Sequence, residues 1–368
     1  MKYDYLIVGT GLSGVVLGER ITSELNKKVL IIDKRNHIGG NCFDYIDDET
    51  KITVHKYGPH VFHTSHEDVW EYLSKYTKWE PFIYNVKAII DSKEVSLPFN
   101  LNSIYQIFSP ELAKKLENAL IDKYGYGKRL TVLELLETDD KDLKFLGDFV
   151  NKKVFEGYTK KQWGIDSSEI DRSILSRVPV LVSRDDSYFQ DTYQAIPSEG
   201  YTKMIENIIK SNNLEVRLNT DLKELQGIEF DKIIYTGPID EYYDYKFGKL
   251  PYRSLDFDFR KYEKEFYQSG PQINYPNNHS FTRIVEYKYY LSEKSDSTII
   301  SLEYPKEYII GQNDAYYPII NEKNNELYNR YLNESKTDDK VIFAGRLGQY
   351  KYFNMDQTVK NALDFIIN

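Results

Sequence analysis

The stretch YDYLIVGTGLSGVVLGERITSELNKKVLIIDKR, residues 3–35, leaves few folds open. An apolar run ends at Gly9, a helical pattern runs through Val15, Leu17, Ile21 and Leu25, and a second apolar run ends at Asp33. Strand, helix and strand in that order open a parallel sheet. The glycines fall at Gly9, Gly11 and Gly14. The first permits a tight turn, the second lets backbone approach a pyrophosphate, and the third lets helix and strand pack closely. The helix begins around Leu12 and Ser13, so its unpaired N–H groups and positive dipole end face the diphosphate. Asp33, 19 residues after Gly14, can accept from a ribose hydroxyl, with Lys34 beside it.

The sequence also bears on which dinucleotide is bound. HIGGN, residues 37–41, follows directly, and Gly40 and Asn41 let backbone approach a cofactor longer than NAD. Near the C-terminus AGRLG (344–348) and a helix from Met355 offer a second backbone-rich loop suited to a polar flavin edge. No second GxGxxG follows a strand elsewhere, so no nicotinamide domain is evident. The pattern describes an FAD protein without its own nicotinamide site, which is odd for a reductase.

The remainder reads as an α/β chain: a Rossmann-like FAD-binding domain with a helical insert and an antiparallel β-sheet domain. The FAD-binding domain is expected over 1–80, 198–240 and 335–368. Helical patterns with Ser/Thr starts fill 100–170, the insert. The sheet domain is expected over 81–99, 171–197 and 241–334, including a hairpin around Asp91 and Ser92. Residues 66–80 read as a helix.

The net charge of −9 argues against a nucleic-acid partner, so an anionic substrate would have to be held by a few placed arginines. A lone cysteine, Cys42, precludes an intrachain disulfide, and no apolar run approaches the length of a membrane span. The expectation is a cytoplasmic protein without an integral membrane segment. The 33 tyrosines are weighed only where they fall in motifs, because Lys, Asn, Ile and Tyr are all frequent.

Taken together, DKRNHIGGN, YGPHVFHT, SLPFNL, GYTKKQWG, FTRIVE and GRLGQYKYFNMD, in this order, resemble the bacterial UDP-galactopyranose mutase family. The resemblance covers nearly the whole chain. It implies interconversion of UDP-galactopyranose and UDP-galactofuranose without net redox. FAD would act reduced, its N5 forming an adduct with the sugar, so an external electron donor is implied, as is a homodimer. Arg177 and Arg283 match the family's two diphosphate arginines, with Arg253 a supporting cation. Tyr158, Thr159 and Trp163 match uridine and cleft positions, while Tyr188, Tyr317 and Tyr352 match tyrosines bonding the diphosphate. Asn274 resembles a substrate-contacting asparagine. Arg346 matches a flavin-contacting arginine, and Phe353, Asn354 and Met355 complete that motif. Gly58, Pro59, His60 and Val61 would lie on the flavin.

Two positions depart from the family pattern. Tyr84 stands where an asparagine is frequent, and Asn354 where an aspartate is frequent. Both bear on the identity of the sugar, and UDP-N-acetylgalactosamine is the competing substrate. An amine-oxidase-like flavin oxidoreductase shares the glycine motifs but gives no reason for GYTKKQWG. A nucleotide-binding regulator would need none of the cleft tyrosines. The cluster HVFHTSH places His60, His63 and His66 at intervals of three. An extended segment after Pro59 points such residues to opposite faces, so no metal site is expected. His63 is the one assigned a part in catalysis, on the flavin or a substrate hydroxyl.

Overall fold

The computed structural model describes residues 2–163 and 179–365; Arg177 and the side chain of Trp163 lie outside the description. The chain clusters into two units. Unit 1 is Met1–Phe82, Asp191–Ser254 and Tyr308–Asn368, and unit 2 is Ile83–Gln190 and Leu255–Glu307.

Unit 1 is built on a parallel sheet with strand order Leu214–Arg217, Val29–Ile32, Lys2–Val8, Glu229–Tyr235, Val341–Phe343. Leu6, Ile7, Leu30, Ile31 and Ile32 are all fully buried, as continuous apolar runs in a covered parallel sheet should be. The helix Leu12–Leu25 lies against the first strand and stops at Asn26, which takes the left-handed conformation at φ 51°. A smaller antiparallel sheet joins Phe62–Thr64, Tyr193–Pro197 and Trp79–Pro81. The helix expected over 66–80 is shorter, Glu67–Ser74 with His66 at its N-cap. Strand pairing overrides the helical pattern there, because Trp79 and Glu80 pair with Pro197 and Ile196. The indole of Trp79 stacks on Trp70, which stacks in turn on Tyr193.

Residues 241–254 and 308–334, grouped with the sheet by sequence, fall in unit 1. Buried tyrosines tie these segments together. The Tyr331 hydroxyl donates to the Gly248 carbonyl at 2.6 Å, and Tyr350 donates to the carbonyls of Pro251 and Ile319 at 2.9 and 3.0 Å.

Asp240 belongs to this cluster, 2 % exposed, and accepts from the Leu250 N–H at 2.9 Å. Burial pushes its carboxyl up to about 6 from an ordinary 3.8. A carboxyl with a raised folded-state pKa stabilises the fold fully below the unfolded-state value. That contribution falls as pH rises through the window from about 4 to about 6. Asp240→Asn keeps an acceptor for the Leu250 N–H and cannot ionise. Its melting temperature should exceed that of wild type by about 2 °C or more at pH 7.5, with the advantage gone at pH 4.5. Thermal melts at the two pH values check this, and an equal difference at both would refute it.

Unit 2 pairs helices with a mixed sheet. Its strand order is Tyr252–Tyr262 (from Leu255 onward), Thr298–Glu307, Arg283–Glu286, Gln272–Asn274, Val86–Ile90, Lys93–Leu97. The expected hairpin turns on two residues with positive φ, Asp91 at 48° and Ser92 at 67°, the twist that best matches paired strands. One contact is parallel, with Gln272 opposite Val86 and Asn274 opposite Ala88. The helices start on the polar residues seen in sequence. Asn100 caps Leu101–Ile107, Ser109 caps Pro110–Tyr124, Thr131 and Glu134 form a capping box, and Asp140 caps Lys141–Val150.

Candidate active site

Unit 1 holds a cavity of about 460 Å³ at the C-terminal ends of the parallel strands. Its lining includes Gly9, Gly11, Leu12, Ser13, Asp33, Lys34, Gly40, Asn41, His60, Arg346 and Met355, all singled out from sequence. Gly14 does not line it but makes it possible. A Cβ there would lie 2.0 Å from the Gly9 carbonyl oxygen, so only glycine lets the helix sit this close to the strand. Gly9 has φ 110°, and a Cβ on it would lie 2.1 Å from Thr236 Oγ1. Gly40, at φ 56°, brings its backbone against Gly11, where a Cβ would stand 2.9 Å from the Gly11 Cα. Two glycine loops thus meet with no side chain between them, leaving backbone as the surface a pyrophosphate would touch.

Asp33 is oriented rather than loose. Its Oδ2 accepts from the Thr10 N–H at 2.8 Å and hydroxyl at 2.6 Å, and its Oδ1 accepts from the Arg35 N–H at 3.0 Å. Oδ1 therefore keeps capacity for one more donor, which suits a ribose hydroxyl. These residues fit a dinucleotide: a glycine cradle, a helix N-terminus and an aligned acid.

At the C-terminal motif, Arg346 donates to the carbonyls of Tyr316 and Phe353. Its guanidinium lies 5.2 and 5.0 Å from the rings of Tyr317 and Tyr352, which stack on each other at 5.5 Å. Arg253 faces Tyr317 across a strand pair. Val61, Tyr352, Phe353 and Asn354 are not among the lining residues. Asn354 instead caps the helix Met355–Leu363 in a box with Gln357. Cys42 lines the cavity, but burial pushes its thiol up to about 12, so it is inert at neutral pH.

The three histidines of HVFHTSH separate. His60 lines the cavity, with its ring 6.2 Å from that of Tyr201. His66 is exposed at the N-cap position of a helix, without a side-chain capping bond. His63 Nδ1 lies 2.7 Å from Asp191 Oδ2, and the Ser65 hydroxyl donates to Asp191 Oδ1 at 3.1 Å.

Unit 2 gathers a second group on one face of its sheet. Arg283 lies opposite Glu303 on one side and Asn274 on the other. Its Nε and Nη2 both donate to Glu303 Oε2, at 2.9 and 2.6 Å, and Nη1 donates to Gln272 Oε1 at 3.3 Å. Glu303 is fully buried, and its Oε1 has no hydrogen-bond partner among the described residues. A buried carboxylate oxygen without a donor is costly. Tyr84 is buried; its hydroxyl donates to Gln272 Oε1 at 2.5 Å and lies 3.2 Å from the Tyr290 hydroxyl. Burial raises the pKa of Tyr84, so it stays a neutral phenol. Tyr188 donates its N–H to the Tyr84 carbonyl, and its ring meets the Tyr84 ring edge-on at 5.9 Å.

The helix Gly157–Trp163 carries Tyr158 and Thr159, the latter buried. Lys161 Nζ donates to the Tyr275 carbonyl at 2.6 Å. A Cβ on Gly157 would lie 2.5 Å from the Pro276 carbonyl oxygen. GYTKKQW is therefore docked on the turn that links Asn274 to Arg283. Burial pulls the Lys161 ammonium down to about 8.

Several site residues escaped the sequence reading. Arg35 lines the cavity, lies over the Tyr57 ring at 4.4 Å, and donates to Asn41 Oδ1 and Asp314 Oδ2. It stands inside DKRNHIGGN and was legible there. Thr236 follows a buried strand at the ligand-binding end of the sheet, a signal present in YTGP. Gln272, Glu303 and Asp191 carried no sequence signal, since only tertiary pairing gives them partners.

Known proteins bear on this arrangement. The family model described as UDP-galactopyranose mutase matches residues 153–352, and that of an NAD(P)-binding Rossmann-like domain matches residues 7–76. A Klebsiella pneumoniae protein named "Probable UDP-galactopyranose mutase" is 38% identical over 97% of this chain and 92% of its own. An Escherichia coli dTDP-fucopyranose mutase is 36% identical over 98% and 96%. The Mycoplasma pneumoniae UDP-galactopyranose mutase is 32% identical over 98% and 95%. A crystal structure of reduced UDP-galactopyranose mutase superposes with a TM-score of 0.73 at 15% identity, covering 99% of this chain and 93% of that one. A putrescine oxidase shares the fold more distantly, at a TM-score of 0.58 and 12% identity over 98% of this chain and 97% of that one. The model matches more than half of the chain and the relatives match it end to end, so the chain belongs to the UDP-galactopyranose mutase family, a family of isomerases.

Proposed function

We propose that the protein interconverts UDP-galactopyranose and UDP-galactofuranose with FAD in its reduced state and no net redox change. The observation that carries this reading is a dinucleotide cavity in a chain that is alike over its full length to named sugar-nucleotide mutases. Reduced flavin, when bound, would supply a nucleophile for the anomeric carbon of the sugar. An external donor is needed only to prime it.

In this reading the glycine loops and Asp33 hold the diphosphate and ribose of FAD, and Arg346 supports negative charge on the flavin. Arg283 and Arg177 bind the substrate diphosphate, whose charge grows as the glycosidic bond breaks; a guanidinium fork matches phosphate oxygens. Arg253, Tyr317, Tyr352 and Tyr188 assist, Tyr158 with Thr159 and Trp163 receives the uridine, and Asn274 contacts the sugar. His63, held through Nδ1 by Asp191, keeps one tautomer and thereby one orientation toward flavin or sugar.

A second reading rests on the relative named dTDP-fucopyranose mutase, nearly as similar as the Klebsiella protein. Fucose is galactose without one hydroxyl. Tyr84 stands where the family frequently has an asparagine, and its hydroxyl is engaged by Gln272 and Tyr290, so the polar contact an asparagine would offer a sugar is replaced by a phenol committed within the chain. Both readings are tested together. Dithionite-reduced protein, incubated without oxygen with UDP-galactofuranose or dTDP-fucofuranose, should form the matching pyranose, and oxidised protein should not. A preference for the dTDP sugar moves the assignment to the second reading. Substrate-dependent oxygen consumption by oxidised protein, without isomerisation, would sink both.

A further inference from the structure

We propose that Gln272 is a positioning residue whose side-chain amide locks Arg283 and Asn274 into one arrangement for binding a nucleotide diphosphate-sugar. The inference rests on the reading that Arg283 holds the diphosphate. Gln272 is 3 % exposed on a strand whose neighbouring positions are apolar or polar in alternation. Packing alone would be served by an apolar residue, since a buried amide is costly unless each end finds a partner. Here both ends do. Oε1 receives Arg283 Nη1 and the Tyr84 hydroxyl, while Nε2 donates to Asn274 Oδ1 at 2.8 Å.

The polarity of this network is forced. Arginine has no acceptor, so the Gln272 atom facing it must be the oxygen. The nitrogen then faces Asn274, which must answer with its own oxygen. That leaves the Asn274 NH2 group on the opposite branch, as a donor. The Tyr84 hydroxyl spends its proton on Gln272 and so accepts from Tyr290. One arginine thus sets the orientation of two amides and two phenols. Glu303 grips the Nε edge of the guanidinium and Gln272 the Nη1 side, so two acceptors on different strands fix its plane. The spacing explains the arrangement: Gln272 and Asn274 share a face of their strand, and Arg283 sits opposite Asn274 on the next.

The test is UDP binding to the oxidised holoprotein by calorimetry, with FAD content and melting temperature as controls. Gln272→Leu should weaken UDP by about tenfold, the scale of a hydrogen bond to a charged group, with FAD content unchanged. Arg283→Lys should weaken it at least as much. The double variant should be no worse than Arg283→Lys alone, because Gln272 acts through the arginine. Additive losses, or a Gln272→Leu affinity within twofold of wild type, would overturn the proposal. Unchanged affinity in Arg283→Lys would instead remove the diphosphate reading beneath it. Should Gln272→Leu fail to fold, Gln272→Glu answers the same question. It keeps an acceptor but sets a second carboxylate against the guanidinium, so UDP affinity falls at least tenfold if the contact matters. Affinity within twofold of wild type in that variant would overturn the proposal as well.

Discussion

Arg283→Lys should lower kcat/KM by about a thousandfold, while the protein stays folded and yellow. The magnitude follows from what a guanidinium does for a leaving diphosphate. Its fork can bond two phosphate oxygens while its other edge stays on Glu303, and an ammonium cannot do both. Lysine is the informative replacement because it keeps a positive charge beside the fully buried Glu303. Arg283→Ala should also abolish turnover with FAD bound, but it leaves that carboxylate buried and unpaired, at about 3–5 kcal/mol in stability. An inactive alanine variant with a lowered melting temperature would then mix two causes. Steady-state kinetics with reduced enzyme, flavin absorbance and a thermal melt separate them. A lysine variant within tenfold of wild-type kcat/KM, or one that loses FAD, would remove Arg283 from the diphosphate.

Gly14→Val should yield protein with less than about a tenth of the normal FAD, or none that folds. The first atom of the new side chain would lie 2.0 Å from the Gly9 carbonyl oxygen, which is backbone and cannot swing away. Helix and strand would have to part, and the N–H groups of the first helical turn would leave the cavity. Gly270→Ala is the control, since a Cβ there meets nothing within 4 Å and its backbone needs no positive φ. The flavin-to-protein absorbance ratio of the purified variants decides the matter. A stoichiometric, yellow Gly14→Val protein would refute the cradle.

Much of unit 1 was legible because its signals are local. Strand, glycine turn, helix and acid all fall within residues 3–35, and each link constrains the next through short-range geometry. The caps at Asn100, Ser109, Thr131 and Asp140 are likewise read from a few consecutive residues. The reading of 66–80 as one helix failed at its end for the converse reason. Trp79 and Glu80 have partners more than a hundred residues away, and pairing outweighed local pattern.

By itself, then, the sequence determined that a dinucleotide-binding unit exists and where its glycines stand, while the 2.0 Å approach that bars any side chain at Gly14 is a fact of the tertiary structure. The sequence also carried the motifs that place the chain among the sugar-nucleotide mutases. Only the tertiary structure decided what each candidate group touches. His63 meets Asp191 across 128 residues of chain, Arg35 meets Asp314 across 279, and Arg283 meets Glu303 and Gln272 through strand register. The physical reason is that polarity and orientation at these sites come from side-chain partners on neighbouring strands. Register is set by the whole sheet, and no stretch of sequence around Arg283 announces that its guanidinium is gripped by two acceptors on different strands.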